Sequence, residues 1–173
     1  MDIKWLVLDV DGVLTNGHLI YTSHGEEIKE FHVKDGLGLT AARSCGIKLA
    51  IITARVSPMV ERRATELHFD ALQMGEGNKT NALRTLCEQE QIDLSQVAYV
   101  GDDLNDLGSL QLAGLAIAPA NAAAEVKSVA DYVTTAEGGA GAVREAVEYI
   151  LKEQNMWSQV VETYKQETHM QGQ

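Results

Sequence analysis

Short runs of apolar residues, separated by helix-like patterns, recur along most of the chain. Runs rich in Val, Ile and Leu predict strands at 5–8, 47–52, 97–100 and 115–117, with a weaker candidate at 132–133. Because these runs are continuously apolar rather than alternating, we expect the strands to be covered on both faces. The pattern predicts an α/β fold: a doubly wound, Rossmann-like parallel sheet with helices on both faces.

Apolar residues at helical spacing occupy the segments between these strands. Helices are predicted near 36–45, 58–68, 79–91, 104–113, 121–130 and 142–154. The helix near residue 58 has a clear start, because Ser57 is a good N-cap and Pro58 suits the first helical position. We interpret residues 1–154 as one domain and residues 155–173 as a polar C-terminal tail.

One segment interrupts the alternation of strands and helices. Two β-type runs, 18–22 and 27–33, flank the turn-forming residues 23–26, which predicts a protruding β-hairpin over about residues 17–33. A lone hairpin cannot bury its own apolar side chains, which here are Leu19, Tyr21, Ile28 and Phe31. Packing against other copies of the chain would bury them, so we expect self-association.

Length and composition are those of a soluble globular chain. The sequence has 173 residues, of which 45% are hydrophobic and 23% are charged. Its formal net charge of −11 argues against a nucleic-acid partner and against docking on an anionic membrane. Cys45 and Cys87 lack metal-type or redox spacing and are interpreted as free thiols. These features favour a cytoplasmic protein.

Two carboxylates lie directly after the first predicted strand. We expect Asp9 and Asp11 to lie on the same side of the chain, and Gly12 can turn it immediately afterwards. Like charges placed together need a cation or a shared proton, and Mg²⁺ prefers such hard oxygen ligands. Alone, this pair would fit a solvated strand end equally well.

Three further polar positions make the pair informative. Thr53 follows the second apolar strand, Lys79 opens a helix, and the acidic run 101–106 follows a third strand. In such sheets ligands bind beyond the carboxyl ends of the strands, where Asp9, Thr53 and Asp102 should meet. The Thr53 hydroxyl, the charge of Lys79 and the start of its helix suit a phosphate group. The ordered set predicts a Mg²⁺-dependent phosphotransfer site.

The motifs resemble those of the haloacid dehalogenase superfamily of phosphotransferases, and in particular its capless tetrameric branch. The resemblance is carried by Asp9–Thr15, Phe31–Gly36, Thr53–Arg55, Gly101–Asp103 and Gly138–Glu145. The segments between the motifs hold only the hairpin, helices and one short strand, which leaves no room for a cap domain. The resemblance therefore implies an open site, or one closed by a neighbouring subunit of a homotetramer.

The resemblance also implies a role for each motif residue. Asp9 would be the nucleophile and Asp11 the general acid and base, with Thr53 and Lys79 completing the catalytic set. Asp9, the backbone carbonyl of Asp11 and Asp102 would hold Mg²⁺.

Other residues would surround this centre. Asp103 and Asp106 would orient waters and Lys79, although from the residues alone they could instead cap the helix that follows. The implied substrate-binding residues are Asp11, His32, Val33, Lys34, Asp35, Gly36, Arg55, Arg63 and Lys79. Thr40 occupies a position that is commonly basic in the family, so a substrate contact there is left open.

The substrate implied by the resemblance is 3-deoxy-D-manno-octulosonate 8-phosphate, an intermediate of lipopolysaccharide synthesis. The alternative is a nine-carbon, sialic-acid-like sugar 9-phosphate, and Arg55 after the threonine motif favours the octulosonate. A receiver-type signalling domain also places acidic residues, a threonine and a lysine on a parallel sheet. It is disfavoured because the largest acidic cluster here follows the lysine.

Overall fold

A six-stranded parallel sheet forms the centre of the structure, a computed structural model that describes the backbone of residues 1–170 and the side chains of residues 1–166. In chain order the strands are β1 (Trp5–Leu8), β2 (Ile20–Tyr21), β3 (Glu27–Ile28), β4 (Lys48–Thr53), β5 (Ala71–Met74), β6 (Val97–Val100), β7 (Leu115–Ala118) and β8 (Tyr132–Val133). β2 and β3 pair with each other in an antiparallel hairpin. The other strands are ordered β5-β4-β1-β6-β7-β8.

Helices cover both faces of this sheet. They are α1 (Val33–Ser44), α2 (Pro58–Glu66), α3 (Lys79–Glu90), α4 (Leu107–Leu112), α5 (Ala124–Val129), α6 (Ala142–Glu153) and α7 (Trp157–Met170), with short 3₁₀ turns at Leu94–Gln96 and Leu104–Asp106. Side chains alternate along β1, so that Leu6 and Leu8 pack in the layer of α1, α2 and α6. Trp5 and Val7 pack in the layer of α3, α4 and α5. The predicted α/β class is confirmed, with helices on both faces and no cap domain within residues 1–170.

The strand order locates the functional edge of the sheet. β4 and β5 lie on one side of β1, whereas β6, β7 and β8 lie on the other. The order therefore reverses between β1 and β6, and ligands of such sheets bind in the crevice at the carboxyl ends of these two strands. Asp9 directly follows β1, and Gly101 and Asp102 directly follow β6.

The hairpin protrudes as predicted, but it is shorter than the sequence indicated. Its strands are only two residues long each, and Val33 begins α1 instead of ending a strand that starts at residue 27. The paired residues of β2 and β3 end at Ile28. His32 has an extended backbone and is the N-cap of α1. Ile20 and Ile28 stand opposite each other, both largely exposed, while Phe31 packs against the core.

The segment predicted as a polar tail is helical over most of its length. α7 covers Trp157–Met170, and Val160 is buried in the core layer of α1 and α6. The Trp157 ring lies 5.2 Å from the Arg144 guanidinium, which links α7 to α6. Residues 171–173 lie outside the described part of the chain, and the boundary at residue 154 stays a prediction. No helix within residues 1–170 combines the length and apolar character needed to cross a membrane.

Candidate active site

A cavity of about 260 Å³ lies at the crevice between β1 and β6. Its walls include the predicted site residues Asp9, Asp11, Thr53, Arg55, Lys79, Asp102 and Asp103, together with Gly17, Ala54 and Asn105. The nucleophile, phosphate-binding and metal-binding residues implied by the family resemblance therefore meet in one place. They come from three strand ends, those of β1, β4 and β6, and from the start of α3, as the topology requires.

Lys79 neutralises the buried carboxylates at the base of this cavity. Its Nζ lies 3.0 Å from Oδ1 of Asp9 and 2.8 Å from Oδ1 of Asp106. Although burial lowers the pKa of Lys79, the charges of Asp9 and Asp106 outweigh it, so the pKa is raised overall. Lys79 is therefore a fixed ammonium ion, placed by the first turn of α3.

Asp106 is fully buried beneath the cavity and organises the loop after β6. Its Oδ1 accepts a hydrogen bond from the Tyr99 hydroxyl at 2.9 Å, and its Oδ2 accepts one from the Asp102 backbone N–H at 3.1 Å. Asp103 caps the following turn, accepting from the Leu104 N–H at 2.8 Å in a capping box with Asp106. Asp106 thus combines the two alternatives of the sequence analysis, since it both orients Lys79 and takes part in a cap.

The carboxylates at the crevice fit a hard divalent cation. Oxygens of Asp9, Asp102 and Asp106 lie within 4.8 Å of one another. Burial and the neighbouring Asp106 raise the pKa of both Asp9 and Asp102, so the cluster lacks positive charge even with Lys79 present. Oδ1 of Asp102 is buried and, among the described residues, has no hydrogen-bond partner. Because Asp106 is engaged by Lys79, Tyr99 and the backbone, Asp9 and Asp102 are the better ligands.

Gly12 allows this cluster to form. Its backbone has a φ of +89°, and a side chain at this position would overlap the carboxylate of Asp102. Only glycine combines this left-handed turn with such a close approach to the acid.

The side chain of Asp11 belongs to a second charged group, which joins the site to the hairpin. Its Oδ1 lies 2.6 Å from Nζ of Lys29, and Lys29 also lies 3.2 Å from Oε1 of Glu27. Arg55 pairs with the same Glu27 oxygen at 3.1 Å and approaches Oδ2 of Asp11 at 3.9 Å. Neither Lys29 nor Glu27 belongs to one of the motifs recognised in the sequence. Their spacing of two along the predicted second strand was the available signal, because it places both on the same side.

Residues 32–36, which the family resemblance implies bind substrate, do not line the cavity around Asp9. Residues 33–36 are the first turn of α1, which corrects the shorter helix predicted from residue 36. Asp35 is buried and accepts a hydrogen bond from the Arg144 N–H at 2.8 Å, so it ties α1 to α6. Lys34 is exposed to solvent.

Arg63 and Thr40 lie away from the cavity around Asp9. Arg63 and Val33 line a neighbouring cavity of about 350 Å³, and Arg63 packs over the Phe31 ring at 5.7 Å. Thr40 donates to the Gly36 carbonyl at 3.1 Å and lines a groove below α7. Substrate contacts by His32, Val33, Lys34, Asp35, Gly36 and Arg63 therefore stay predictions. Lys29 lines the cavity of Arg63 and also contacts Asp11, so it stands between the two cavities.

Comparison with known proteins places this site in a family. A sequence profile of haloacid dehalogenase-like hydrolases matches residues 71–147. A 3-deoxy-D-manno-octulosonate 8-phosphate phosphatase of Escherichia coli is 43% identical over 150 residues, which cover 87% of this chain and 80% of that protein. The chain belongs to the haloacid dehalogenase-like hydrolases. The predicted hydrolase, and within this family a phosphatase, is confirmed by this relationship.

Two solved structures of the family share the fold, and each has a bound metal ion. A 3-deoxy-D-manno-octulosonate 8-phosphate phosphatase from Moraxella catarrhalis, in complex with magnesium, phosphate and KDO, is 47% identical with a TM-score of 0.92. The alignment covers 94% of each chain. The cobalt-bound phosphatase of Haemophilus influenzae is 40% identical, with a TM-score of 0.86, over 89% of this chain and 90% of that one. A divalent cation in these haloacid dehalogenase-like relatives agrees with the carboxylate cluster of this chain.

Proposed function

We propose that this chain hydrolyses 3-deoxy-D-manno-octulosonate 8-phosphate to the free sugar acid and phosphate, with Mg²⁺ as its metal. The observation that carries the proposal is the convergence of Asp9, Lys79 and Asp102 at the switch point of the sheet. The relatives named for this activity, at 43% and 47% identity over most of the chain, support the choice of substrate.

In the first step, the Asp9 carboxylate attacks phosphorus as the bond to the sugar oxygen breaks. Asp11 donates its proton to that leaving oxygen, which would otherwise depart as a poor alkoxide. Lys79 holds Oδ1 of Asp9 and offsets negative charge next to the phosphate, while the Thr53 hydroxyl is placed at the end of β4 to bind phosphate oxygens. Mg²⁺, held by Asp9, the Asp11 carbonyl and Asp102, would supply further positive charge for the transferring phosphoryl group.

In the second step, water attacks the phosphoryl group now carried by Asp9. Asp11, left as a carboxylate by the first step, takes the proton from this water. Phosphate leaves, Asp9 returns to its carboxylate form and Asp11 is protonated again. Atoms and protons therefore balance over the cycle with no other reactant than water.

Arg55 is the residue of this cavity best suited to an acidic sugar. It lies on the cavity wall and is held by Glu27 at 3.1 Å, so a guanidinium fork is available beside the catalytic centre. A sugar carboxylate is the natural partner of such a fork. This supports the eight-carbon sugar acid phosphate over neutral sugar phosphates. Nine-carbon sugar acids also carry a carboxylate, so the experiment below compares turnover of the two acids.

We further propose a homotetramer in the cytoplasm, in which hairpins from several chains pack together. The exposed apolar side chains of the hairpin, Leu19, Ile20, Tyr21 and Ile28, support this assembly. The open cavity would then be bordered by a neighbouring subunit.

Turnover measured on three phosphates side by side tests the proposal. We expect kcat/KM for 3-deoxy-D-manno-octulosonate 8-phosphate to exceed that for N-acetylneuraminate 9-phosphate and for glucose 6-phosphate. We also expect chelator to abolish activity and Mg²⁺ to restore it. A preference for the nine-carbon substrate would support the alternative, and full activity in chelator would contradict the metal site.

A further inference from the structure

Lys29 is a buried cation that links the hairpin to Asp11. Its side chain is 2% exposed, although the strand residues beside it, Ile20 and Ile28, are largely open to solvent. Its Nζ lies 2.6 Å from Oδ1 of Asp11 and 3.2 Å from Oε1 of Glu27. A buried ammonium is tolerated when carboxylates surround it, and here two do so.

The geometry differs from that of an ordinary surface ion pair. Exposed pairs such as Lys48 with Glu90, 3.1 Å apart, fix neither partner firmly because both remain hydrated. The Lys29 ammonium is shielded from water and donates a short hydrogen bond to a carboxylate on the wall of the active-site cavity. Arg55, the other cation nearby, has its Nε 3.9 Å from Asp11, beyond hydrogen-bond distance.

We propose that Lys29 is a positioning residue for the general acid. It holds Oδ1 of Asp11 and thereby leaves Oδ2, on the side of Arg55, as the oxygen that carries the transferred proton. This inference rests on the proposed function, because it assumes that Asp11 protonates the leaving group.

Lys29 neither gives up nor accepts a proton in the proposed step. The proton moves from Oδ2 of Asp11 to the leaving oxygen as the phosphorus–oxygen bond to that group breaks and the bond to Asp9 forms. Lys29 keeps its own protons throughout. Its effect is on orientation, and a displacement of about 1 Å in a reacting group can cost on the order of 100-fold in rate.

The leaving group supplies a test that separates orientation of the acid from general damage. p-Nitrophenolate leaves readily without protonation, whereas phenolate needs more help from a general acid. The value of kcat/KM reports the steps up to departure of this group, so it isolates the step that uses Asp11 as an acid. Both esters are small and place the same phosphate in the site.

We would measure both esters with the wild-type chain, Lys29→Met, Lys29→Arg and the matched control Lys48→Met. We expect the loss of kcat/KM in Lys29→Met to be about tenfold larger for phenyl phosphate than for p-nitrophenyl phosphate. This difference is a fraction of the rate enhancement that a general acid contributes. Lys29→Arg should recover much of this difference because it retains a donor to Asp11. Lys48→Met should leave both values unchanged, since its ion pair is exposed at the amino end of β4, opposite the cavity.

Equal losses of Lys29→Met on both esters, or no loss, would overturn the proposal. If Lys29→Met fails to fold because Asp11 loses this cation and Glu27 keeps only Arg55, the double variant Lys29→Met with Glu27→Gln removes one of the two negative charges and should give the same difference between esters. Wild-type enzyme inactive on the octulosonate 8-phosphate and on both esters would instead contradict the proposed function itself. The two failures are therefore distinguishable.

Discussion

Nζ of Lys79 lies 3.0 Å from Oδ1 of Asp9, although one residue opens α3 and the other follows β1. The same ammonium lies 2.8 Å from Asp106, which is fully buried. One lysine therefore balances two buried acids, Asp9 on the cavity wall and Asp106 beneath it. The charge that remains on Asp9 and Asp102 explains why the crevice favours a divalent cation.

Replacing Asp102 should have opposite effects on stability with and without metal. Asp102→Asn removes a carboxylate whose pKa is raised by burial and by Asp106, so it should increase the free energy of unfolding of the metal-free protein. The wild type should gain about 2.7 kcal/mol when Mg²⁺ exceeds its dissociation constant by about 100-fold, and the variant should gain much less. Thermal unfolding in chelator and in Mg²⁺ measures both effects. A metal-free Asp102→Asn protein less stable than the wild type would mean that the Asp102 carboxylate does not destabilise the folded state.

Arg55→Ala should impair the sugar-acid substrate selectively. A charge-assisted hydrogen bond contributes about 1.5–3 kcal/mol, so kcat/KM for the octulosonate phosphate should fall about 10- to 100-fold. The loss on p-nitrophenyl phosphate should be much smaller because this ester has no carboxylate. Arg84→Ala, on the exposed side of α3, is the control. A uniform loss on both substrates would place Arg55 on the phosphate or in a structural role.

Charges on the hairpin should prevent assembly. Ile20→Lys together with Ile28→Lys places two cations opposite each other at exposed positions of the β2–β3 ladder. We expect light scattering to give a tetramer for the wild type and smaller species for the double variant. Val133→Lys, an exposed apolar position on β8, should leave the mass unchanged. A fully active wild-type monomer would refute the idea of a site bordered by a neighbour.

Val160 should anchor the C-terminal helix to the core. It is buried in the layer of α1 and α6, so Val160→Ala should lower the free energy of unfolding by about 1–2 kcal/mol. Gln159→Ala, on an exposed position of the same helix, should change it little. Urea denaturation measures the difference. Equal stability of both variants would show that α7 contributes little to the core.

The main sheet and most of the residues that line the candidate site could be predicted, because polar residues directly after apolar strands are recognisable in the sequence. Asp9, Thr53 and Asp102 each follow an apolar run, and parallel topology brings those positions to one edge. Tyr99 could not be identified in this way, because a tyrosine inside an apolar strand has the sequence pattern of a core residue. Only the structure shows that its hydroxyl donates a hydrogen bond to Asp106.

Other features depended on contacts that are distant in the sequence. α7 was not predicted because most of its residues are polar, and among its described side chains, 157–166, only Val160 is buried. β5 was expected only as a short strand without bounds, since the sequence of Ala71–Met74 is partly polar. The role of Lys29 required the hairpin to fold back onto Asp11, and local patterning cannot predict such an approach.

Trapping the phosphoryl group on the enzyme tests the central claim most directly. Substrate carrying radiolabelled phosphate would be mixed with enzyme and Mg²⁺, quenched in acid within one turnover and mapped by peptide digestion. We expect the label on the peptide that contains Asp9, with an acyl phosphate's lability to base, and none in Asp9→Asn, whose turnover should fall below about 1% of the wild type. Unlabelled enzyme together with sustained turnover by Asp9→Asn would mean that water attacks the substrate directly, and would contradict the covalent mechanism.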